Sequence, residues 1–451
     1  MGRVLLVALP AIATFPADFL GRDQPFAHAA AAAANGDTNG DGSRDLSDAV
    51  YLLAWLFREG PAPLPCSHPS GMPDTGQARC CDAAGNEVAC DSANCPGQDR
   101  LHGPSCPSES RFVDNGDGTV TDTCTGLMWQ QDTADTNGDG TIDPATDHLD
   151  WCGALQYCDD LSLAGHDDWR LPNVLELQSI VDRWRSDPAI DPVFGSFASL
   201  YWSSTVYASL PDAAWYVSFF VGFMNFNFED YLSHVRAVRG GSGVVAVQNG
   251  DTNGDGARDV SDAVYLLAEL FREGPAVVPC PSSDVPAALP DTGQTLCYHF
   301  VRPNSPWAPG PCEEAPCPGQ DGAYATGCLS NGRFVDNRDG TVTDNCTGLM
   351  WQKDTVPELP WCEALAYCDD LSLAGHDDWR LPNVLELQSL VDYGRFGPAI
   401  NPALRVSRSY WSSTSHALDP AQAWYINFFF GYVNGHGKAY TRSVRAVRTG
   451  R

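Results

Sequence analysis

The sequence predicts an α+β protein of two tandem modules, each placing helices before antiparallel strands and each stapled by disulfides. Three observations carry this. The chain is written twice: Tyr157 to Ser179 returns unchanged as Tyr367 to Ser389, and Asn35 to Gly42 returns as Asn249 to Gly256. Its 17 cysteines fall at long, irregular spacings in Pro/Gly-rich sequence without CxxC pairs, which describes a disulfide framework rather than zinc sites. Within each copy, helix-period apolar spacing gives way to short aromatic and β-branched runs broken by Gly and Asn. At 451 residues the chain has room for several cores, and its formal charge of −30 argues against nucleic acid as a partner.

The elements follow in order. Residues 1–29 read as a signal peptide: a basic Met1-Gly2-Arg3 start, an apolar Val4 to Phe15 too short to span a bilayer, and Ala27-His28-Ala29 as a cleavage site. The chain is therefore expected to be secreted or held at the cell surface, with no transmembrane segment.

Residues 35–60 carry an Asp-rich loop and a helix. Asp37, Asn39, Asp41, Asp45 and Asp48 take positions 1, 3, 5, 9 and 12 of a twelve-residue loop, Gly42 makes the sharp turn at 6, and Ser43 offers its carbonyl at 7. That spacing folds six or more oxygens around one point, so the cofactor expected is Ca2+. Asp251, Asn253, Asp255, Ala257, Asp259 and Asp262 repeat the pattern in 249–274. The helices that follow, Ala49 to Glu59 and Ala263 to Glu273, stop at Gly-Pro. The first is apolar nearly all round and must be covered, either by its distant twin or by its own module. A third loop, in an insertion peculiar to the first copy, offers Asp135, Asn137, Asp139, Thr141 and Asp143; its twelfth residue is Thr146, with Asp147 one place late. Asp114 to Gly118 reads as a hairpin turn instead.

Cys/Pro-rich segments come next, 61–110 and 275–332, leading into the large modules 111–240 and 333–451; 241–248, with its Gly-Gly-Ser-Gly, is the linker. Eight cysteines per copy allow four disulfides inside each, with Cys81 left over and the connectivity open. Cys152 and Cys158, six apart on one helix, face different ways and should not pair with each other.

The loop plus following helix resembles one half of a type I dockerin. Positions 10 and 11, Leu46-Ser47 and Val260-Ser261, lack the polar pair usual there, so the resemblance does not extend to cohesin binding. The stretch 73–239, repeated at 290–448, carries Pro73-Asp74-Thr75-Gly76-Gln77, Cys95-Pro96-Gly97-Gln98-Asp99, Asn115 to Asp122, Trp169-Arg170-Leu171-Pro172 and a closing Val-Arg-x-Val-Arg. On these residues both copies resemble the DUF1566 family, which includes the C-terminal domain of the Legionella collagen-like adhesin. That resemblance implies a C-type-lectin-like fold and adhesion to sulfated glycosaminoglycans. The calcium–sugar motifs of sugar-binding C-type lectins are missing, so lectin-type calcium contact is not implied.

Divergence between the copies points to a ligand surface. Met224 to His234 keeps only Asn225 and Tyr231 in common with Val433 to Ser443, between strands that are closely similar in the two copies. The candidate ligand residues are Phe223, Asn225, Phe226, Phe228 and Tyr231 in the first copy, and Tyr432, Asn434, His436, Lys438, Tyr440 and Arg442 in the second. The second set is basic and suits a polyanion; the first carries Glu229 and Asp230. The ligand class expected is an extracellular glycan or protein.

No catalytic fingerprint is present. His166 and His376 read as turn anchors, and Glu176 and Glu386 as single carboxylates without the partner that glycoside hydrolysis needs. The expectation is a binding protein, not an enzyme. The association of dockerin-like segments with polysaccharide breakdown keeps a hydrolase as one alternative, and a structural surface or matrix protein is another.

Overall fold

The structure is a computed structural model. It describes residues 38, 44–58, 72–73, 75–90, 95–102, 111–240, 252, 260–272, 289–299, 308–312, 315, 317, 319–324, 328 and 333–449. The signal peptide, the linker and the loop positions Asp37, Asn39, Asp41, Ser43, Asp251, Asn253, Asp255, Ala257 and Asp259 lie outside them. All described residues fall in one compact unit, 32–451. Among them, no helix is long and apolar enough to cross a membrane.

The first copy contributes α1 (Leu46–Arg58), β1 (Cys80–Cys81), β2 (Glu87–Val88), β3 (Phe112–Asp114), β4 (Thr119–Asp122), β5 (Met128–Gln130), α2 (Trp151–Asp159), α3 (Val174–Ser179), β6 (Leu200–Val206), β7 (Ala213–Ser218), β8 (Met224–Phe228) and β9 (Val238–Arg239). The second contributes α4 (Val260–Arg272), β10 (Cys297–His299), β11 (Ala308–Gly310), β12 (Phe334–Asp336), β13 (Thr341–Asp344), β14 (Leu349–Gln352), β15 (Val356–Pro360), α5 (Trp361–Asp369), α6 (Val384–Gln388), β16 (Ser409–Ser415), β17 (Gln422–Asn427), β18 (Tyr432–Gly437), β19 (Thr441–Val444) and β20 (Val447–Thr449).

Each module is a pair of sheets around short helices, so the α+β expectation holds. One sheet is β3-β4-β5-β9 in the first module and β12-β13-β14-β20 in the second; the other is β6-β7-β8 against β15-β19-β16-β17-β18. In the first module the insertion with the third loop interrupts the stretch equivalent to β15, and the pairings of the two extra strands remain as isolated bridges at Leu149–Ser233 and Tyr201–His234.

Local chemistry explains the fixed points. Asn173 accepts from the Glu176 amide while Glu176 accepts from the Asn173 amide, a capping box that starts α3 and returns at Asn383 and Glu386 in α6. Arg111 grips Asp122 through two buried hydrogen bonds of 2.9 and 2.6 Å, and Arg333 grips Asp344 likewise, closing each first hairpin. The main apolar core is shared: Leu175, Leu177, Trp215 and Val217 of one module pack in the same cluster as Leu385, Leu387, Trp424 and Ile426 of the other.

The cysteine framework differs from the expectation of four bridges within each copy. Cys80–Cys90 and Cys297–Cys312 do close locally, but Cys95 bonds Cys362 and Cys152 bonds Cys317, across the duplication. The reason is an exchange of arms. The arm of the first copy, described over 77–90 and 95–102, lies on the second module, where Thr414 Oγ1 donates to Asp99 Oδ2 at 2.7 Å and the Ser415 amide donates to Gln77 Oε1 at 2.6 Å. The arm of the second copy answers on the first module, with Thr205 Oγ1 to Asp321 at 2.7 Å and the Val206 amide to Gln294 at 3.0 Å. Cys152 and Cys158 do not pair, as their helical spacing requires. Cys81, Cys158 and Cys368 are buried thiols, and Cys124 is disulfide-bonded.

Helices α1 and α4 pack on each other, burying Ala49 against Leu266, with Arg44 and Glu269 3.5 Å apart. Of the two ways to cover these apolar helices, the structure takes pairing of the distant halves.

Candidate functional site

In the second module, pairing of β17 with β18 sets Tyr425 opposite Asn434, Ala423 opposite His436 and Asn427 opposite Tyr432, so these side chains share one sheet face. Arg442 of β19 lies over that face, its guanidinium 4.7 Å from the Tyr425 ring and 5.7 Å from Trp411. It donates from Nη1 to its neighbour's carbonyl at 2.9 Å, and its buried Nε has no hydrogen-bond partner. Among the described residues no carboxylate pairs with it. His436 and the exposed Tyr440 meet at 4.4 Å. Burial and the adjacent Tyr432 hydroxyl push the Tyr425 phenol up to about 12, so it stays a neutral donor. Burial first, then Arg442, pushes His436 down. A guanidinium without a counter-ion among the described residues, beside the neutral Tyr425 hydroxyl and an imidazole, suits an anionic group.

In the first module the equivalent face has Phe223, Asn225 and Tyr216, and Ser233 stands where Arg442 stands in the second. Phe226 and Phe228 point to the opposite face. Phe226 stacks on Tyr207 at 4.1 Å and meets Trp215 at 5.9 Å, while Phe228 and Tyr231 are exposed. The residues singled out by divergence therefore divide between two surfaces.

Lys438 is a correction. Expected at the ligand surface, it is 1% exposed. Its ammonium lies 3.8 Å from the Trp361 ring centroid and donates to the Ser415 hydroxyl at 2.9 Å and the Cys81 and Asp82 carbonyls at 3.2 and 3.3 Å. It anchors the exchanged arm. Divergence alone also missed Tyr425 and Trp411, because both copies keep those residue types; the strand register was the signal that could have found them.

The third loop is described in full. Asp147 accepts from the Thr136 amide at 2.9 Å and the Asp143 amide at 2.7 Å. Asp48 makes the same two contacts in the first loop, from the Thr38 amide at 2.8 Å and the Asp45 amide at 2.9 Å, and Asp262 accepts from the Thr252 amide at 2.8 Å. Asp147 thus takes the closing place that a strict twelve-residue count gives to Thr146, and these amides hold its carboxyl below the usual range despite burial. Asp135 accepts from the Gly138 and Gly140 amides, Asn137 from the Asp139 amide, and Asp139 from Thr141; Asp143 caps Ala145. The donor set is all oxygen, as a hard cation requires. Here its carboxylates turn toward loop amides, and among the described residues no three acidic or His/Cys side chains converge on one point.

Glu176 receives Arg170 through two bonds of 2.7 Å, and Glu386 receives Arg380 likewise. Both carboxylates are committed to ion pairs and caps. His166 closes a tight turn by exchanging backbone hydrogen bonds with Leu163.

No curated protein matches the chain. Residues 118–239 and 340–448, which hold both faces and the strands that carry them, each match the family described as the Lcl C-terminal domain, while the loop-helix segments at 35–60 and 249–274 lie outside the match. The matched stretches make up just over half of the chain, and it belongs to the Lcl C-terminal domain family, with two copies of that domain.

Proposed function

We propose that the protein is an exported, calcium-loaded adhesion protein that binds an extracellular glycan and performs no chemistry on it. One observation carries the reading. On one sheet face of the shared scaffold, the second copy presents Arg442 over Tyr425 with no acidic partner among the described residues, where the first has Ser233. The part-exposed Arg442 guanidinium, with a buried Nε that has no hydrogen-bond partner, gains when a ligand supplies the counter-ion. The family's adhesin member and the anion-ready face agree in chemistry. With a chain charge of −30, an anionic glycan is repelled at long range, so binding should be weak and salt-sensitive.

Calcium belongs to the stiff frame under this surface. Asp45 and Asp48, Asp262, and Asp135, Asn137, Asp139 and Asp143 are the described residues that would hold it, together with the loop positions preceding them in sequence. Bound calcium supplies charge neutralisation to loops otherwise crowded with carboxylates.

The test uses the full chain, since each module depends on the other's arm. On a sulfated-glycan column, Arg442→Ala with His436→Ala should elute at clearly lower salt than the wild type, and binding should weaken about tenfold. A chelator should lower the melting temperature. Unchanged elution of the double variant, or turnover of a polysaccharide by the wild type, would overturn the proposal.

A further inference from the structure

The two modules meet along a seam, and one side of it carries a continuous run of aromatic rings drawn from both copies. Tyr207 and Phe226 of the first module stack at 4.1 Å. Phe396 of the second stands edge-on to Tyr207 at 6.1 Å and to Phe429 at 5.2 Å, and lies 6.0 Å from Phe430. Phe430 in turn stacks on Tyr432 at 5.9 Å, and Tyr432 belongs to the Arg442 face. Phe396 is 41% exposed and Phe429 36%, so the run is open to solvent at its middle. The duplication does not explain it: on the matching side of the seam, the equivalents of Tyr207, Phe226 and Phe396 are His416, Gly435 and Ser186. At its outer margin the exposed guanidinium of Arg408 lies 5.7 Å from the Phe429 ring, with no ion pair among the described residues.

We propose that the recognition surface is composite: an extended acidic saccharide chain lies from Arg442 across the aromatic seam to Arg408 and the first module. This rests on the glycan-binding reading above and adds where the chain runs. Phe396 and Phe429, part exposed and set edge to face 5.2 Å apart, offer apolar ring surface to the C–H faces of sugars. The two unpaired guanidinium groups, Arg442 beside Tyr425 and Arg408 beside Phe429, call for acidic groups spaced along the ligand. An apolar peptide would leave both desolvated and unpaired, and a second copy of so acidic a chain would approach against its own charge. The seam cannot form in one module alone.

The experiment compares a sulfated tetrasaccharide with a dodecasaccharide of the same repeat, binding the full-length chain in a calorimeter. Phe396→Ala with Phe429→Ala should weaken the long probe about tenfold and leave the short one unchanged, whereas Arg442→Ala weakens both. Phe429→Tyr should keep wild-type affinity, and the half-exposed positions should leave the melting temperature of every variant near that of the wild type. Wild-type affinity of the double alanine variant for the long probe, or an equal loss for both probes, overturns the composite groove while leaving the Arg442 site standing. A change in self-association in place of affinity assigns the strip to copy–copy contact and likewise overturns it. Binding of neither probe by the wild type sinks the glycan reading and the groove together.

Discussion

The two exchanged arms sit on their host modules by the same contacts, yet one docking site is anchored by a cation and the other carries three carboxylates. Asp99 with Thr414 and Gln77 with Ser415 are matched by Asp321 with Thr205 and Gln294 with Val206, and each arm ends in a disulfide to the helix beneath. Beside the first arm, Lys438 donates to the arm's carbonyls. At the equivalent place beside the second stands Glu229, with Asp212 and Asp150 where the other module has Ala421 and Pro360. Buried atoms of Glu229 and Asp212 have no hydrogen-bond partner. The exchange is thus fixed by Asp, Gln and Thr residues that both copies keep, through side-chain and backbone hydrogen bonds and covalent links, while side-chain charge at its border is free to diverge.

The largest expected effect breaks the comparison outright. If a protease site is placed in 241–248 and cut, the halves should run as one species on a denaturing gel without reductant and as two with it. Two disulfides, closing loops of 267 and 165 residues, join them. Separation of unreduced halves would show that the arms fold back on their own modules. Peptide mapping should recover Cys95 with Cys362 and Cys152 with Cys317.

That exchange was not legible in the sequence, for a physical reason. When two copies carry the same arm and the same docking surface, the cis and trans pairings use identical contacts, and only linker geometry and chain path decide between them. Elements whose partners are near in sequence were legible: the hairpin from Arg111 to Asp122, the helix at Trp151 and the one opened by Asn173 all stand where their caps and periodicity put them. Lys438 was misread because charge in a divergent segment looks like surface until the arm covering it is placed. Asp147 was discounted because an extra loop residue breaks a strict count without breaking the hydrogen bonds that close the loop.

Lys438→Met sharpens the cation side. Methionine keeps a long apolar stem against Trp361 but leaves the Cys81 and Asp82 carbonyls and the Ser415 hydroxyl without their donor. The expected cost is about 2 kcal/mol in urea unfolding, with earlier proteolysis of residues 80–90. A cost near zero would mean that the disulfide and the Asp99 contacts hold the arm without help.

Glu229→Gln is the smallest effect and has a pH signature that separates it from ordinary repacking. Burial chiefly, then Asp212 and Asp150, push the Glu229 carboxyl up from 4.5 to about 8. The folded chain therefore holds this proton more tightly than the unfolded chain does. Its contribution to stability is whole below about pH 4.5 and drains away as pH rises through about 8. Glutamine cannot lose that proton, so wild type and variant should melt together near pH 4.5 and part progressively toward pH 9, with the variant the more stable by about 1–3 kcal/mol after solvent screening. Other carboxyls raised by burial, Asp321 to about 7 and Asp392 to about 6, are present in both chains and cancel in the difference. A gap that stays constant with pH would mean that a cation already neutralises the Glu229 cluster, as the lysine ammonium does for the arm's carbonyls in the other copy, and the two docking sites would then be alike in charge after all.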